Sequence, residues 1–414
     1  MPQAWLGTAL RLLAEPTAPF HEQNVITAVL EEADQLGLDY CVDRFGNVRV
    51  ELHAEGASTQ VLPLVLTAHM DHPGFWAQRM IGPGRLLASW VGRVPCELFA
   101  GAPVRFYSGG QPSSLLSLPQ SDGDGSLDAG AGFALAGTPI EGRVREVQAY
   151  EGEGDWARVE LEVEDDVEPG SIGQWSLPPA ELDGEFLRAT AVDDVAGVAS
   201  LVCVMQSYVE ARQTGGPMPN RPVTLLFTRA EEAGFVGCTE FCRDRVAQGL
   251  AGTAQVVGVE MSMASADAPL GDGVVVRVGD RRNVFDPATT DQLTRTAQRL
   301  AESTPGFAYQ RKLMSGGTCE SSVFQRYLGR SGALCLPLAN YHNHNAGTRP
   351  GGFEREAIHA RDFAGLVRLL IALTLESPTP DDAAGRDTAW FEDLSDRQAG
   401  LLFDAAGDAE GDAR

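Results

Sequence analysis

The stretch Val61-Leu62-Pro63-Leu64-Val65-Leu66-Thr67-Ala68-His69-Met70-Asp71 decides the fold. Residues 61–67 are almost continuously apolar. Such a run suits a strand covered on both faces, as in a parallel sheet. It closes on His69-x-Asp71, so a histidine and an acid stand at the C-terminal end of the strand. In open α/β sheets that end faces the crevice where ligands bind.

The flanking sequence extends the pattern. Upstream, Leu6, Leu10 and Leu13 share one helical face, and Val25, Ile26, Val29 and Leu30 share another. Residues 39–51 hold two short β-rich runs around Phe45-Gly46-Asn47, a hairpin turn. Beyond Ala189, helices are predicted at 195–209, 235–248, 290–303 and 360–375. Strands are predicted between them at 223–228, 254–259, 274–278 and 333–337. This alternation predicts an α/β fold, a mostly parallel central sheet flanked by helices.

A block of different character interrupts it. From Phe75 to about Glu185 the chain has short strand patterns with frequent Gly and Pro, and 143–147 and 156–163 alternate in strand fashion. Residues 109–137 are rich in Gly, Ser, Pro and Asp and carry no period, as in a loop. The block reads as a small all-β domain inserted into a larger one. Residues 1–75 and 186–377 then form the main domain, discontinuous in sequence, with 76–185 as the insert. Residues 378–414 form an acidic tail with a short helix at 394–405.

Bulk composition narrows the function. The 414 residues, 43% hydrophobic, can bury a sizeable core and imply two domains. Acidic side chains outnumber basic ones 57 to 32, a net charge of −25. That charge repels nucleic acid and anionic membrane, so neither is expected as a partner. Seven cysteines scattered through apolar segments do not form a disulfide framework. The start, Met1-Pro2-Gln3-Ala4-Trp5, lacks the basic and apolar regions of a signal peptide. No run is expected to reach the ~20 apolar residues of a membrane span. Together these point to the cytoplasm.

Five segments carry the chemistry: His69-Met70-Asp71, Asp193-Asp194, Glu231-Glu232, Glu260 and His342. Alone, each has a bland reading, such as a loop histidine, an N-cap or a solvated acid pair. As an ordered set they supply the N/O ligands and the base that a two-metal hydrolase needs. Asp71 is placed to orient the ring of His69. Asp193 can bridge two cations, with Asp194 supporting the bridge. Glu232 is read as a ligand and Glu231 as the general base, because a base must reach the attacking water without itself being a ligand. Glu260 ends a predicted strand and suits a terminal ligand. His342 completes the second cation's set, with His344 in reserve. His21, His53 and His359 are read as surface or packing residues.

At these residues the chain resembles the glutamyl and tetrahedral (TET) aminopeptidases, dinuclear-zinc metallopeptidases. The resemblance rests on Asp43-Arg44-Phe45-Gly46-Asn47, Ala68-His69-Met70-Asp71 and Ala191-Val192-Asp193-Asp194-Val195-Ala196-Gly197. Glu231-Glu232-Ala233-Gly234 and Gly316-Gly317-Thr318 complete it. It implies His69, Asp193 and Glu260 as ligands of the first metal, and Asp193, Glu232 and His342 as ligands of the second. It implies Glu231 as catalytic base and Asp71 as the acid that orients the histidine. Two zinc ions are implied, although cobalt or manganese also fits the donor set. The implied substrates are peptides, cleaved at the N-terminal residue. The β insert is implied to help dimerisation, in a homo-oligomer built from dimers.

Three positions depart from the family pattern. His72-Pro73 stands where an acid is usual, Cys319 where Asp follows Gly-Gly-Thr, and Asn343-His344-Asn345 follows His342. Two other functions share the residues. One is a related metal-dependent deacylase or carboxypeptidase. The other is a non-catalytic binding or assembly protein on the same scaffold.

Overall fold

The computed structural model describes residues 1–54, 61–107, 139–149, 156–249 and 251–376. The expected loop at 109–137 and the acidic tail with its helix lie outside the described residues.

Helices α1 (Gln3–Leu13) and α2 (Gln23–Leu36) come first, followed by the hairpin β1 (Tyr40–Val42) and β2 (Val48–Leu52) and then β3 (Leu64–His69). Pro63 lacks an N–H to donate, so β3 begins after it, three residues later than the apolar run suggests. His69 is therefore the last residue of the strand.

The chain then enters a closed barrel of antiparallel strands. These are β4 (Gly74–Gly82), β5 (Arg85–Val91), β6 (Pro103–Tyr107), β7 (Ile140–Ala149), β8 (Trp156–Val163) and β9 (Ile172–Trp175). They pair in the order β4-β5-β8-β7-β6-β9. The barrel encloses its own core, in which Phe75, Trp90, Phe99, Phe106 and Trp175 pack together, several of them edge to face. Short strands β10 (Glu181–Asp183) and β11 (Phe186–Ala189) lead back to the sheet.

The remaining elements are α3 (Val192–Thr214), β12 (Val223–Thr228), α4 (Val236–Ala247), β13 (Gln255–Met263), β14 (Val274–Gly279), α5 (Pro287–Ser303), β15 (Tyr309–Leu313), α6 (Glu320–Tyr327), β16 (Ser331–Leu338), β17 (Glu356–His359) and α7 (Ala360–Thr374). The sheet runs β1-β2-β12-β3-β13-β16-β14-β15. Its centre, β12-β3-β13-β16, is parallel, as is the β14–β15 pair. Antiparallel pairing joins β2 to β12 and β14 to β16.

Side chains alternate across the sheet, as the strand period requires. Leu64, Leu66 and Ala68 of β3 face the large core with α3 and α7, while Val65 faces the smaller one under α4 and α6. β12 and β13 split in the same way, with Phe227 and Val259 on one side and Leu226 and Val256 on the other. Both faces are covered, which is why these strands read as unbroken apolar runs.

Helix α3 lies at the centre of the larger core. Against the expectation from sequence, it is long and apolar enough to cross a membrane, but 89% of its apolar window is buried inside the fold.

Candidate metal centre

The central parallel strands deliver four of the five segments near their C-terminal ends, where an open α/β sheet binds ligands. His69 ends β3, Glu231-Glu232 follow β12, and His342 follows β16. Glu260 lies inside β13, which continues to Met263 instead of stopping at Val259. Asp193 and Asp194 come from the other direction, through β11. Both have non-helical backbone and a cis peptide bond joins them, so α3 becomes regular only from Val195.

The loop carrying Glu231-Glu232 is held from below by carboxylates. Asp71 accepts the N–H of Glu231 through Oδ1 at 2.9 Å and that of Glu232 through Oδ2 at 3.0 Å. Glu22 accepts the N–H of Ala230 and pairs with Arg229. Asn47, from the β1–β2 hairpin, accepts the N–H of Arg229 and donates to the Gly237 carbonyl. The Asp43–Asn47 motif thus braces the acidic loop.

Asp71 meets His69 differently from the expectation. Nδ1 of the ring is 3.1 Å from the Asp71 carbonyl and 3.6 Å from its carboxylate, beyond normal hydrogen-bond length. Asp194 accepts the N–H of His69, and its carboxylate packs on Gly197. A Cβ at Gly197 would lie 2.3 Å from Asp194 Oδ1, which explains glycine there.

All seven residues singled out from sequence are buried and close together. His69, Glu231 and Glu260 bring one ligand atom each within 4.8 Å of one another, and so do Asp193, Glu232 and His342. Asp193 lies between the groups: Oδ1 is 3.6 Å from His69 Nε2, and Oδ2 is 3.9 Å from His342 Nε2. His342 Nε2 is also 2.9 Å from Glu232 Oε1, without hydrogen-bond alignment. Asp193 Oδ1 and His342 Nε2 are buried with no hydrogen-bond partner among the described residues. Buried polar atoms are seldom left so. Imidazoles and carboxylates converging with unpartnered lone pairs fit divalent cations.

The electrostatics agree with that fit. Burial, reinforced by neighbouring acids, raises Glu231 well above the ordinary carboxylate range and Glu260 to about 8. For His69, burial opposes the charged ring, but the surrounding carboxylates outweigh it and hold the ring well above its usual value. His342 is raised by the same balance. Protons therefore occupy the place that cations can take.

Two carboxylates of the site, Glu356 and Glu320, carry no signal in the sequence. Glu356, fully buried at the start of β17, accepts the N–H of Asp193 at 2.8 Å and that of His342 at 2.7 Å. Glu320 accepts the Thr228 hydroxyl at 2.8 Å beneath the acidic loop, and burial raises it to about 7. His72, one of the departures, sits between the Asp193 carbonyl and the Asn343 side chain, at 2.6 and 3.1 Å. His344 contacts the carbonyl of His342 and joins neither ligand group. His21 stacks on Trp76, His53 pairs with Asp39, and His359 caps α7.

A cavity of about 570 Å³ opens over the site. Beyond the acids its lining includes Met261, Met263, Met314, Lys312, Tyr341 and Arg277. Arg277 is only 3% exposed. It has no ion pair among the described residues, one 3.3 Å bond to Ser262 and an Nε without partner.

Residues 157–355 match the family model of the M42 glutamyl aminopeptidases. Over that stretch the chain is similar to the M42 glutamyl aminopeptidases. Solved structures share the fold over nearly their whole length. A TET peptidase of Pyrococcus horikoshii, which can assemble into a tetrahedron or a large octahedral shell, is 19% identical with TM-score 0.65, over 90% of this chain and 99% of its own. An aminopeptidase of the archaeon Desulfurococcus kamchatkensis is 17% identical with TM-score 0.67, over 92% and 97%. A TET aminopeptidase from a marine-sediment thaumarchaeote is 15% identical with TM-score 0.68, over 92% and 99%. No curated protein matches the chain. The family-model match supports aminopeptidase activity.

Proposed function

We propose that the protein is an aminopeptidase that removes N-terminal residues from peptides with the help of two divalent cations. The observation that carries this reading is the pair of ligand groups meeting at Asp193. His69, Asp193 and Glu260 would hold one cation, and Asp193, Glu232 and His342 the other. Zinc is the first choice, with cobalt or manganese compatible with the donors. Bound there, the cations supply Lewis acidity and lower the pKa of water toward neutrality.

Glu231 takes the proton of the attacking water and returns it to the leaving amine. Its raised pKa suits a group that must both accept and donate near neutral pH. Asp71 fixes the loop that presents Glu231, through the two backbone N–H groups it accepts.

Arg277 selects the substrate. Glu260 and Asp280 lie close enough to favour the charge of the buried guanidinium, and its fork geometry in the cavity wall suits a carboxylate. An acidic first residue is therefore favoured, with Lys312 adding positive charge to the cavity. The barrel serves dimerisation, and dimers build a homo-oligomer acting in the cytoplasm.

The test is a panel of aminoacyl chromogenic substrates, each free and N-acetylated, with cation-loaded protein. Turnover of free amines alone is expected. Equal or faster turnover of acetylated substrates would instead establish a deacylase-type enzyme. A protein that binds no cations and cleaves nothing would be a retired scaffold.

A further inference from the structure

We infer that Glu356 is a positioning residue that locks the loops carrying Asp193 and His342 to each other. We infer also that the excursion 343–355, anchored in the barrel through Phe353, holds it in place. This rests on the two-cation reading above.

The geometry is that of a clamp. Each oxygen of one buried carboxylate accepts the backbone N–H of a different candidate ligand, Asp193 through Oε2 and His342 through Oε1. Asp193 and His342 lie far apart in sequence, and both carry irregular backbone. His342 has φ +52°, and Asp193 lies outside helical geometry. Neither segment lies in a regular ladder that could fix it. Glu356 stands opposite Ala189 in the β11–β17 pair, so the strand leading to Asp193 and the clamp share one register.

The excursion leaves the site at His342 and returns at Glu356. At its far end Phe353 stacks on Trp175, with centroids 3.8 Å apart and planes 13° apart, and meets Phe99 edge-on. Gly351 donates to the Leu98 carbonyl at 2.7 Å. At the near end Asn343 donates to the Thr190 carbonyl, its side-chain oxygen lies 3.1 Å from His72 Nε2, and its own carbonyl receives the N–H of Glu354. The barrel also touches the site directly, since the Arg93 carbonyl lies 3.3 Å from His342 Nδ1. A ring packed in one core thus fixes a carboxylate that aligns ligands in the other.

Groups that orient ligands typically change metal affinity by about 10–100-fold when replaced. The clamp touches both halves of the site, but only one half also depends on His342. The second cation to bind should therefore suffer most.

The experiment is titration of the stripped full-length chain with zinc by calorimetry, with melting in chelator as a control. Glu356→Gln is expected to weaken the second cation at least tenfold more than the first, with little change in chelator melting. Phe353→Ala is expected to act in the same direction, and Phe353→Tyr to restore binding. Should Glu356→Gln not fold, the Phe353 pair decides by the same criterion. Cobalt loading adds a readout, because a displaced His342 changes the visible spectrum of the second ion. Equal loss at both sites, or unchanged affinities in variants that fold, would overturn the inference. A wild-type chain that binds fewer than two zinc ions would overturn the two-cation reading, and this inference with it.

Discussion

Asp193 faces His69 across 3.6 Å, from Oδ1 to Nε2, without a hydrogen bond between them. The other oxygen of Asp193 faces His342 at 3.9 Å. A single carboxylate thus stands between imidazoles delivered by β3 and by the turn after β16. Replacing it with asparagine removes the charge that two cations would share. Asp193→Asn should retain fewer than one cation per chain after desalting, measured by elemental analysis. Two retained ions would remove Asp193 from the bridging role.

Glu231 lies within 4.8 Å of ligand atoms of His69 and Glu260, close enough to be taken for a ligand itself. The proposed role is different, and Glu231→Gln separates the two. Loss of a general base costs about 10²–10⁴-fold in rate. The variant should lose kcat by that order while its cation content stays that of the wild type. A parallel loss of metal would make Glu231 a ligand.

Arg277 supplies the basis for substrate preference. Hydrogen bonds to charged groups contribute about 1.5–3 kcal/mol, so Arg277→Met should lower kcat/KM for a glutamyl substrate roughly 100-fold. Methionyl and leucyl substrates should gain, because the cavity wall already carries Met261, Met263 and Met314. A uniform loss across substrates would mean that the guanidinium is structural.

Cation affinity should rise with pH across the neutral range. Burial raises Glu260 to about 8 and Glu231 well above the ordinary carboxylate range, and His69 is held well above its usual value. Each is protonated in the cation-free protein near pH 7, and a ligand must give up its proton to bind. Below about pH 8 protons therefore compete, and each unit of acidity weakens binding. The same shifts have a consequence for stability without metal. The folded state holds these carboxyl protons above the unfolded carboxylate range, so cation-free stability falls as pH rises from about 4.5 toward 8. Calorimetry at pH 6 and pH 8 in buffers of different ionisation enthalpy checks both the affinity trend and proton release. Affinity independent of pH would contradict the account.

The sheet was legible because β3, β12, β13 and β16 are covered on both faces, and such strands announce themselves as apolar runs. The β1–β2 hairpin showed through its turn, but other short and edge elements did not. β15, Tyr309–Leu313, carries charge on an edge, and β11 and β17 are four residues each. Their partners define them, and partners are invisible in a linear pattern. The site divides in the same way. His69, Asp193, Glu231, Glu232, Glu260 and His342 could be singled out by residue type and position. Glu356 and Glu320 could not, because a carboxylate that accepts hydrogen bonds from residues distant in sequence leaves no motif. Arg277 looked like any strand arginine until the absence of an ion pair among the described residues set it apart.

The central claim is that one carboxylate joins two cations, and diffraction tests it most directly. Crystals loaded with zinc and measured at its absorption edge should show two anomalous peaks about 3.5–4 Å apart. One peak is expected beside His69 and Glu260, the other beside Glu232 and His342, with Asp193 touching both. A single peak, or two peaks without Asp193 between them, would contradict the account.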